Sequence, residues 1–380
     1  MSFGGKNKVN QIGQTAPDTV RVMIVDDSAV IRGLTKRMIE AEPNLSVVSS
    51  VGDGEQAVRA IKREEVDVVV LDIEMPRMDG LTALPLLIAE KPELRIIMSS
   101  TLTTRNADIS LRALSMGAAD YIPKPTSTKD LHGSDDFRKV LVEKILVLGE
   151  AAQRSRSRIA GHSSQAGTVR KAKIASSGFS LRAAGRLTPD ILAIGSSTGG
   201  PQALFEFFKA IDPGYSLPIV VTQHMPATFT KILADHIGAI SKRPCVEASG
   251  GEVITKGHVY VAPGGKHMLL ENNGPRVVIK LSDSPPENFC QPAVDPMLRS
   301  VVEVYGSRVL TLIFTGMGQD GMKGCESVVA AGGTVIGQDE ATSIVWGMPG
   351  AVATHGLCSA VLPLGKIAGY VSNFANRSAA

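Results

Sequence analysis

The chain has 380 residues, which is enough for two or three domains that each bury a hydrophobic core. Its composition, 43% hydrophobic and 20% charged residues, is typical of a soluble globular protein, and a net charge of +3 gives no indication of nucleic-acid binding. No apolar run approaches the roughly 20 residues of a membrane span, and four widely spaced cysteines without a Cys-x-x-Cys pair indicate a cytoplasmic protein without a zinc site.

The first part of the chain alternates between strand-like and helix-like segments. Residues 1–19 are polar, lack an apolar signal core and are predicted to form a disordered N-terminus. Residues 22–25 form a continuous apolar run, which is typical of a buried parallel strand. Four more strands are predicted, separated by helical patterns, at residues 46–51, 66–71, 95–98 and 118–122. This order predicts a (βα)5 domain on a parallel sheet at residues 20–150.

Polar side chains collect at the carboxyl ends of these strands, where parallel sheets bind ligands. Asp26 and Asp27 follow the first strand and Asp72 the third, while Ser99 ends the fourth and Lys124 follows the fifth. Three neighbouring carboxylates repel one another, so Mg2+ is the natural compensating ion. With the metal bound, Asp72 can attack a phosphoryl group, and Ser99 and Lys124 can hold its oxygens. Helix capping, the other common use of an Asp-Asp-Ser stretch, does not explain Asp72 or Lys124.

These stretches are similar to the receiver domains of response regulators. The similarity lies in residues 25–28, 71–80 and 121–125. It implies phosphorylation of Asp72 by a histidine kinase. It also implies that Asp27, Asp72 and the main-chain carbonyl of Glu74 are metal ligands, with Asp26 acting mainly through water.

A basic segment follows the first predicted domain. Residues 151–188 contain no acidic residue, eight lysines and arginines, and Phe179 as the one aromatic residue. Such a segment buries too little apolar surface to order itself, so a flexible linker is predicted. A nucleic-acid-binding arm is the alternative, but interleaved aromatic residues and a helix-turn-helix pattern are both missing from the sequence.

The remainder, residues 189–376, is predicted to form a mostly parallel, doubly wound α/β domain. Strands are predicted at residues 191–194, 218–222, 258–262, 309–314, 334–336 and 359–362. An Asn-Asn-Gly sequence between two apolar runs near residue 273 predicts an antiparallel hairpin inserted into this domain.

The turn after residues 191–194 is the strongest candidate for a functional site. Gly195-x-Ser197-x-Gly199 fits a nucleophile elbow, in which small neighbours let a serine occupy a sharp strand-to-helix turn. Anion binding at the helix N-terminus is an alternative use of the same turn. Dinucleotide binding needs a middle glycine and an acidic residue about 20 positions later. Here Ser197 replaces that glycine and the next strand ends at His224.

Three strand ends supply the groups of a serine hydrolase. Ser197 is the candidate nucleophile, His224 its base, and Asp320, in the glycine-rich turn after residue 314, the carboxylate that orients the imidazole. Ser196 and Asp295 are the competing hydroxyl and carboxylate. Other histidines are available at positions 236, 258, 267 and 355. The chain order Ser, His, Asp differs from that of the α/β-hydrolases.

A second resemblance rests on residues 194–201, 222–226, 314–321 and 347–350. These stretches resemble the chemotaxis protein-glutamate methylesterases, and with the receiver-like domain the match spans nearly the whole chain. The resemblance implies Ser197, His224 and Asp320 as the catalytic residues, and the amides of Met317 and Thr198 as oxyanion-hole donors. The sequence departs from the family at Ser196, where alanine is common, and at residues 290–293.

The resemblance implies a phosphorylation-activated serine esterase that hydrolyses glutamate methyl esters on the cytoplasmic helices of chemoreceptors and often deamidates receptor glutamines. Its expected cofactor is Mg2+ in the receiver domain, with none in the esterase domain. The expected partners are a histidine kinase and chemoreceptors, with no nucleic acid and no membrane insertion. The unphosphorylated receiver is expected to cover the esterase cleft. Alternatives are a receiver-regulated nucleotide-binding oxidoreductase, a DNA-binding regulator, and a methylesterase of a non-motility chemosensory pathway.

Overall fold

The computed structural model describes residues 19–101, 103–124, 135–163 and 179–375, with backbone alone at 135–136 and 158–163. The predicted disordered N-terminus up to residue 18, the middle of the predicted linker at 164–178, and residue 376 lie outside the described residues.

The first domain is the predicted (βα)5 unit. Its five parallel strands lie in the order β2-β1-β3-β4-β5. The strands are β1 (Val20–Val25), β2 (Leu45–Val51), β3 (Val68–Asp72), β4 (Arg95–Ser100) and β5 (Asp120–Pro123). The helices are α1 (Ala29–Glu40), α2 (Gly54–Ile61), α3 (Gly80–Glu90), α4 (Thr104–Ser115) and α5 (Asp135–Ser163). Every residue of β3 is buried, which explains its continuous Val and Leu run in a sheet covered on both faces.

Helix α5 extends well past the predicted domain boundary at residue 150. Ala151 and Ala152 are buried, and Arg156 lies 2.9 Å from the buried carboxylate of Asp67. The expectation of a flexible linker therefore does not hold at residues 151–157. The acidic partner, Asp67, lies directly before β3 and far away in sequence, so local composition could not indicate this order.

The second domain contains a seven-stranded parallel sheet in the order β14-β13-β12-β6-β7-β9-β8, with the predicted hairpin, β10 and β11, beside it. The strands are β6 (Ile191–Ser196), β7 (Ile219–Gln223), β8 (Cys245–Glu247), β9 (Val259–Val261), β10 (His267–Asn273), β11 (Arg276–Ser282), β12 (Val309–Ile313), β13 (Thr334–Gln338) and β14 (Ala360–Leu362). The short edge strand β8 has no buried residue, so it lacks the apolar run by which the other strands were predicted.

The helices of the second domain cover both faces of its sheet. They are α6 (Gly200–Ala210), α7 (Ala227–Ser241), α8 (Val294–Tyr305), α9 (Met322–Ala330), α10 (Met348–Thr354) and α11 (Leu364–Ala375). Residues 179–188 run along this domain: Phe179 lies against Trp346, and the Arg182 amide donates to the Cys358 carbonyl at 3.0 Å. Among the helices of the described ranges, none combines the length and apolarity that a membrane span requires.

The two domains are in direct contact. Helix α4 of the first domain packs against α6 and α7 of the second. The ring of Tyr121 stacks on Phe229 with centroids 4.3 Å apart. At the rim of the interface, His236 lies 3.0 Å from Asp108.

Candidate active site

Three adjacent strands bring the predicted catalytic residues to one edge of the second sheet. β6 lies between β12 and β7, and Gly195 is in register with Ile313 on one side and Thr222 on the other. The turns that follow these strands therefore meet at the carboxyl edge of the sheet, as expected for a parallel α/β domain.

The turn after β6 presents Ser197 to a cleft. Gly199, at the start of α6, has a φ of +77°, a conformation that favours glycine. Gly316 lies so close that a Cβ atom there would approach the Ser197 Cβ to 2.9 Å. Ser197 lines the cleft, whereas Ser196 is fully buried and its hydroxyl donates to Gln223 Oε1 at 2.7 Å. Of the two hydroxyls, only the one at Ser197 faces the cleft.

His224, which is partly buried, pairs with the buried Asp320. His224 Nε2 lies 2.8 Å from Asp320 Oδ2. The carboxylate also accepts the amides of Val294 at 2.6 Å and Gly321 at 2.9 Å, and the side-chain amide of Asn288 at 2.8 Å. Because these donors come from two different loops, the carboxylate is held in one orientation toward the imidazole.

The competing carboxylate, Asp295, forms hydrogen bonds with other groups and not with His224. It accepts the Gly324 amide at 2.6 Å and the Asn288 side-chain amide at 2.9 Å. Burial, reinforced by the charge of Asp320, raises the pKa of Asp295 to about 6. Asp295 thus fixes the start of α9 and the position of Asn288, while Asp320 contacts the imidazole.

The environment of His224 favours its protonated form. Burial acts to lower its pKa, but the hydrogen bonds to Asp320 and Cys290 outweigh burial and raise the pKa to about 9. The pKa of Asp320 is lowered: burial opposes ionisation, and the contact with His224 overcomes it. The pair is arranged to stabilise an imidazolium, which is the species that forms when the histidine takes a proton from a nucleophile.

The second imidazole nitrogen contacts a residue that sequence reasoning missed. Cys290 Sγ lies 3.4 Å from His224 Nδ1. Since Nε2 is engaged by Asp320, Nδ1 is the nitrogen left for Ser197, and no hydrogen bond joins the serine hydroxyl to it within the described part of the chain. Catalytic hydrogen bonds are often loose without substrate. The departure from the family at residues 290–293 was the one sequence signal for this contact.

The other histidines whose side chains the structure describes do not line the cleft of Ser197. They contact a carboxylate or main-chain groups: His236 with Asp108, His258 with Lys256, His267 with Pro285 and Ala293, and His355 with Ala351. Among the histidines that the structure describes, His224 alone lines the cleft with Ser197.

The two residues predicted to supply oxyanion-hole amides are both close to the cleft. Met317 lines the cleft, and Thr198 directly follows Ser197. In the described residues neither amide donates a hydrogen bond to another part of the chain. The Thr198 carbonyl accepts the Thr315 hydroxyl at 2.9 Å, which fixes the peptide on the other side of this residue.

The cleft is formed by both domains. It is a cavity of about 700 Å3 lined by Ser197, His224 and Phe289 on one side. On the other side lie Lys139 and Val140 from helix α5 of the first domain. The first domain also reaches the nucleophile turn, because the Thr198 hydroxyl donates to Asp120 Oδ2 at 2.7 Å.

The first domain contains a separate acidic site. Asp26, Asp27 and Asp72 can place one carboxylate oxygen each within 4.8 Å of one another. Lys124 Nζ lies 2.7 Å from both Asp26 and Asp72. Burial is the main cause that raises the pKa of Asp72 to about 6. This set of hard oxygen ligands fits Mg2+, whose charge would offset the cost of holding buried carboxylates together. Glu74 lines the same cavity.

Ser99, the hydroxyl predicted to hold a phosphate oxygen, is in register with Asp72 on the neighbouring strand. The cavity at Asp72 is lined by Ser100 and Thr101 but not by Ser99. Successive side chains of a strand point to opposite faces, so a shift of one residue along β4 decides which hydroxyl faces the carboxylates. Lys124, in contrast, contacts Asp72 directly, at 2.7 Å.

Comparisons with known proteins identify both parts of the chain. Residues 192–371 match the model of a family described as CheB methylesterase, and residues 22–134 match the response regulator receiver domain. A protein-glutamate methylesterase/protein-glutamine glutaminase of Azospirillum brasilense is 55% identical over 97% of this chain and 95% of its own. One from Paramagnetospirillum magneticum is 56% identical over 95% of this chain and 98% of its own. The solved CheB methylesterase catalytic domain of Thermotoga maritima is 41% identical, with a TM-score of 0.48, and covers 49% of this chain and 99% of that one.

Proposed function

The chain belongs to the CheB methylesterase family and carries a response-regulator receiver domain in front of the esterase domain, and on that premise we propose that it is a phosphorylation-activated protein-glutamate methylesterase of chemoreceptors. One observation carries the proposal: Ser197 and His224 line one cleft, and the carboxylate of Asp320 lies 2.8 Å from the imidazole. Family membership rules out the oxidoreductase and DNA-binding alternatives. Relatives are also named protein-glutamine glutaminases, so we extend the proposal to deamidation of glutamine side chains.

The proposed reaction proceeds through an acyl-enzyme. His224 Nδ1 accepts the proton of Ser197 as its oxygen attacks the carbonyl carbon of the glutamate methyl ester. The amides of Met317 and Thr198 donate to the oxyanion of the tetrahedral intermediate. The C–O bond to the methoxy group then breaks, and the leaving oxygen takes the proton from the imidazolium as methanol departs. Water, activated by His224 in the same way, hydrolyses the acyl-enzyme and regenerates Ser197.

Asp320 supports this cycle without exchanging a proton. Its lowered pKa keeps it ionised, so its charge stabilises the imidazolium in each half-reaction. Cys290 must leave Nδ1 for the serine to reach it, since one nitrogen lone pair accepts one proton. Its 3.4 Å contact is a weak hydrogen bond that a short rotation of the thiol would break.

The receiver site is proposed to hold Mg2+ through Asp26, Asp27, Asp72 and, as the family resemblance implies, the main-chain carbonyl of Glu74. When bound, the ion supplies positive charge that lowers the pKa of Asp72 and neutralises an incoming phosphoryl group. Asp72 is the proposed phosphorylation site, with a histidine kinase as donor. Lys124, already 2.7 Å from Asp72, would hold one phosphate oxygen. The Ser100 hydroxyl lines the cavity and would hold another by turning away from Ser110, which it contacts at 3.1 Å.

The receiver is proposed to inhibit the esterase until Asp72 is phosphorylated. Helix α5 contributes Lys139, Val140 and Glu143 to the wall of the cleft, so a polypeptide substrate and the docked receiver compete for the same space. Phosphorylation adds negative charge to an already acidic site and shifts the population toward the released arrangement.

Methanol release from membranes that carry methylated chemoreceptors tests the proposal. Ser197→Ala is expected to lower the rate by several orders of magnitude, as loss of a catalytic serine does elsewhere. Ser196→Ala is the matched control, because its hydroxyl is buried against Gln223, and most activity should remain. If Ser197→Ala kept a nearly normal rate while a folded Ser196→Ala variant was inactive, the nucleophile would be Ser196 and not Ser197.

A further inference from the structure

A short turn beside the triad has an unusual backbone. Glu287 and Cys290 exchange two main-chain hydrogen bonds, of 3.1 and 2.9 Å, around Asn288 and Phe289. Both central residues have positive φ angles, +53° and +62°, the combination of a type I′ turn. Such turns favour Asn followed by Gly. Asn288 suits the first place, but a phenylalanine is unfavourable at the second, because its Cβ crowds the backbone there.

The side chain of Phe289 is also unfavourably placed for a folded chain alone in water. It is 97% exposed, the highest value among the large hydrophobic side chains that the structure describes. A strained backbone and an exposed aromatic ring at one residue are both costs to stability. Strained conformations persist mainly where a functional site requires them, and aromatic side chains are enriched at protein–protein interfaces.

The turn is held firmly by groups that also support the catalytic residues. Asn288 donates to both Asp320, at 2.8 Å, and Asp295, at 2.9 Å. Arg299 makes a two-point contact with Glu287, at 2.8 and 2.6 Å. At the end of the turn, Cys290 contacts His224. The backbone of Phe289 is therefore held in place relative to His224 and Asp320.

The ring lies at the rim of the catalytic cleft. Phe289 lines the same cavity as Ser197 and His224. On the receiver side, Lys139 Nζ lies 5.5 Å from the ring centroid. A methyl ester alone is small and leaves this ring in water, whereas the polypeptide that carries the ester can cover it.

We propose that Phe289 anchors the polypeptide substrate, burying its ring against apolar side chains that flank the methylated glutamate. The inference rests on the proposed esterase function and adds a specificity-determining residue to it. The partner is a protein surface with an apolar residue next to the ester. Because the turn is fixed to Asp320 and His224, an anchored surface would present its ester carbonyl to Ser197 at a defined distance.

The test compares two substrates with the full-length protein, Mg2+ and acetyl phosphate as phosphoryl donor, so that receiver docking does not limit the rate. One substrate is membranes with methylated chemoreceptors, and the other is p-nitrophenyl acetate. Phe289→Ala should raise KM for the receptors about 10- to 100-fold, the effect of losing one buried aromatic contact. Its kcat/KM on the small ester should stay unchanged. Val246→Ala, an exposed apolar residue on the edge strand β8, is the matched control and should change neither value.

A second variant separates binding from folding. Phe289→Gly removes the ring and also relieves the positive φ, so its Tm should equal or exceed that of the unmodified protein while its receptor KM rises as for Phe289→Ala. Phe289→Trp should retain receptor affinity.

Each other outcome overturns the inference. Unchanged receptor KM for Phe289→Ala would mean that substrate does not cover the ring. Equal losses of kcat/KM on both substrates would mean that Phe289 acts in the chemical step or in folding. If the receptor KM of Phe289→Ala changed only when the same assay was run without acetyl phosphate, the ring would be a docking contact for Lys139 of the receiver. If the unmodified protein released no methanol, the proposed function itself would fail.

Discussion

Asp120 of the receiver domain offers the sharpest test of inhibition by docking. Its carboxylate is buried and accepts the Thr198 hydroxyl at 2.7 Å and Lys144 Nζ at 2.5 Å. Asp120→Asn keeps the side-chain shape and removes the charge. A hydrogen bond to a charged group contributes about 1.5–3 kcal/mol and a neutral one about 1 kcal/mol, so the docked state should lose about 0.5–2 kcal/mol. The rate of methanol release without phosphoryl donor should therefore rise roughly 2- to 30-fold.

A second carboxylate at the same interface provides the control. Asp108 lies 3.0 Å from His236, but 46% of its side chain is exposed, so water and salt screen the contact. Asp108→Asn makes the same chemical change and should raise the unstimulated rate less than about fivefold, given that an exposed pair contributes at most about 1 kcal/mol. Donor stimulation should shrink for Asp120→Asn as its unstimulated rate rises. An unstimulated rate that stays the same or falls in Asp120→Asn, with Mg2+-dependent labelling of Asp72 intact, would refute the reasoning.

Asp72→Asn removes the phosphoryl-accepting oxygen. It should therefore abolish both labelling by acetyl phosphate and the stimulation of hydrolysis by acetyl phosphate, while unstimulated hydrolysis remains. Asp79→Asn, at an exposed helix cap, is the control, and undiminished labelling of Asp72→Asn would place the phosphorylation site elsewhere. The pH profile is expected to rise above neutral pH, because His224 must be neutral to accept a proton and its pKa is raised to about 9. Asp320→Asn removes the main stabiliser of the imidazolium, so the rising limb should move to lower pH as the maximal rate falls. A pH–rate profile of the unmodified protein that is flat from pH 7 to about 9 would contradict this role of Asp320.

The meeting of Ser197, His224 and Asp320 at one edge of the sheet could be predicted from the sequence, because the signals of these residues are local. Ser197, His224 and Asp320 each follow an apolar strand, and the topology of parallel sheets brings such strand ends together. The contacts of Asn288 and Cys290 could not be predicted, because their turn has no periodicity and its conformation depends on carboxylates elsewhere in the chain.

Two other differences between the sequence predictions and the structure also have specific causes. The choice between Ser99 and Ser100 depends on which face of β4 turns toward Asp72, which an apolar run buried on both faces does not reveal. The continuation of α5 into the predicted linker depends on Arg156 reaching Asp67, a pairing between residues 89 positions apart whose two partners carry no local sign of it.

Strand β5 gives inhibition and phosphorylation a common structural element. Asp120 at its start holds the hydroxyl of Thr198, and Lys124, directly after its end, holds Asp72. The two contacts are about 13 Å apart along the chain, the length of four residues in a strand. A phosphoryl group on Asp72 gives Lys124 a new and stronger acceptor, and any resulting shift of β5 acts directly on Asp120. The amide of Thr198 is a proposed oxyanion donor. Release of the Thr198 hydroxyl from Asp120 would therefore change the geometry of the nucleophile turn as well as access to the cleft.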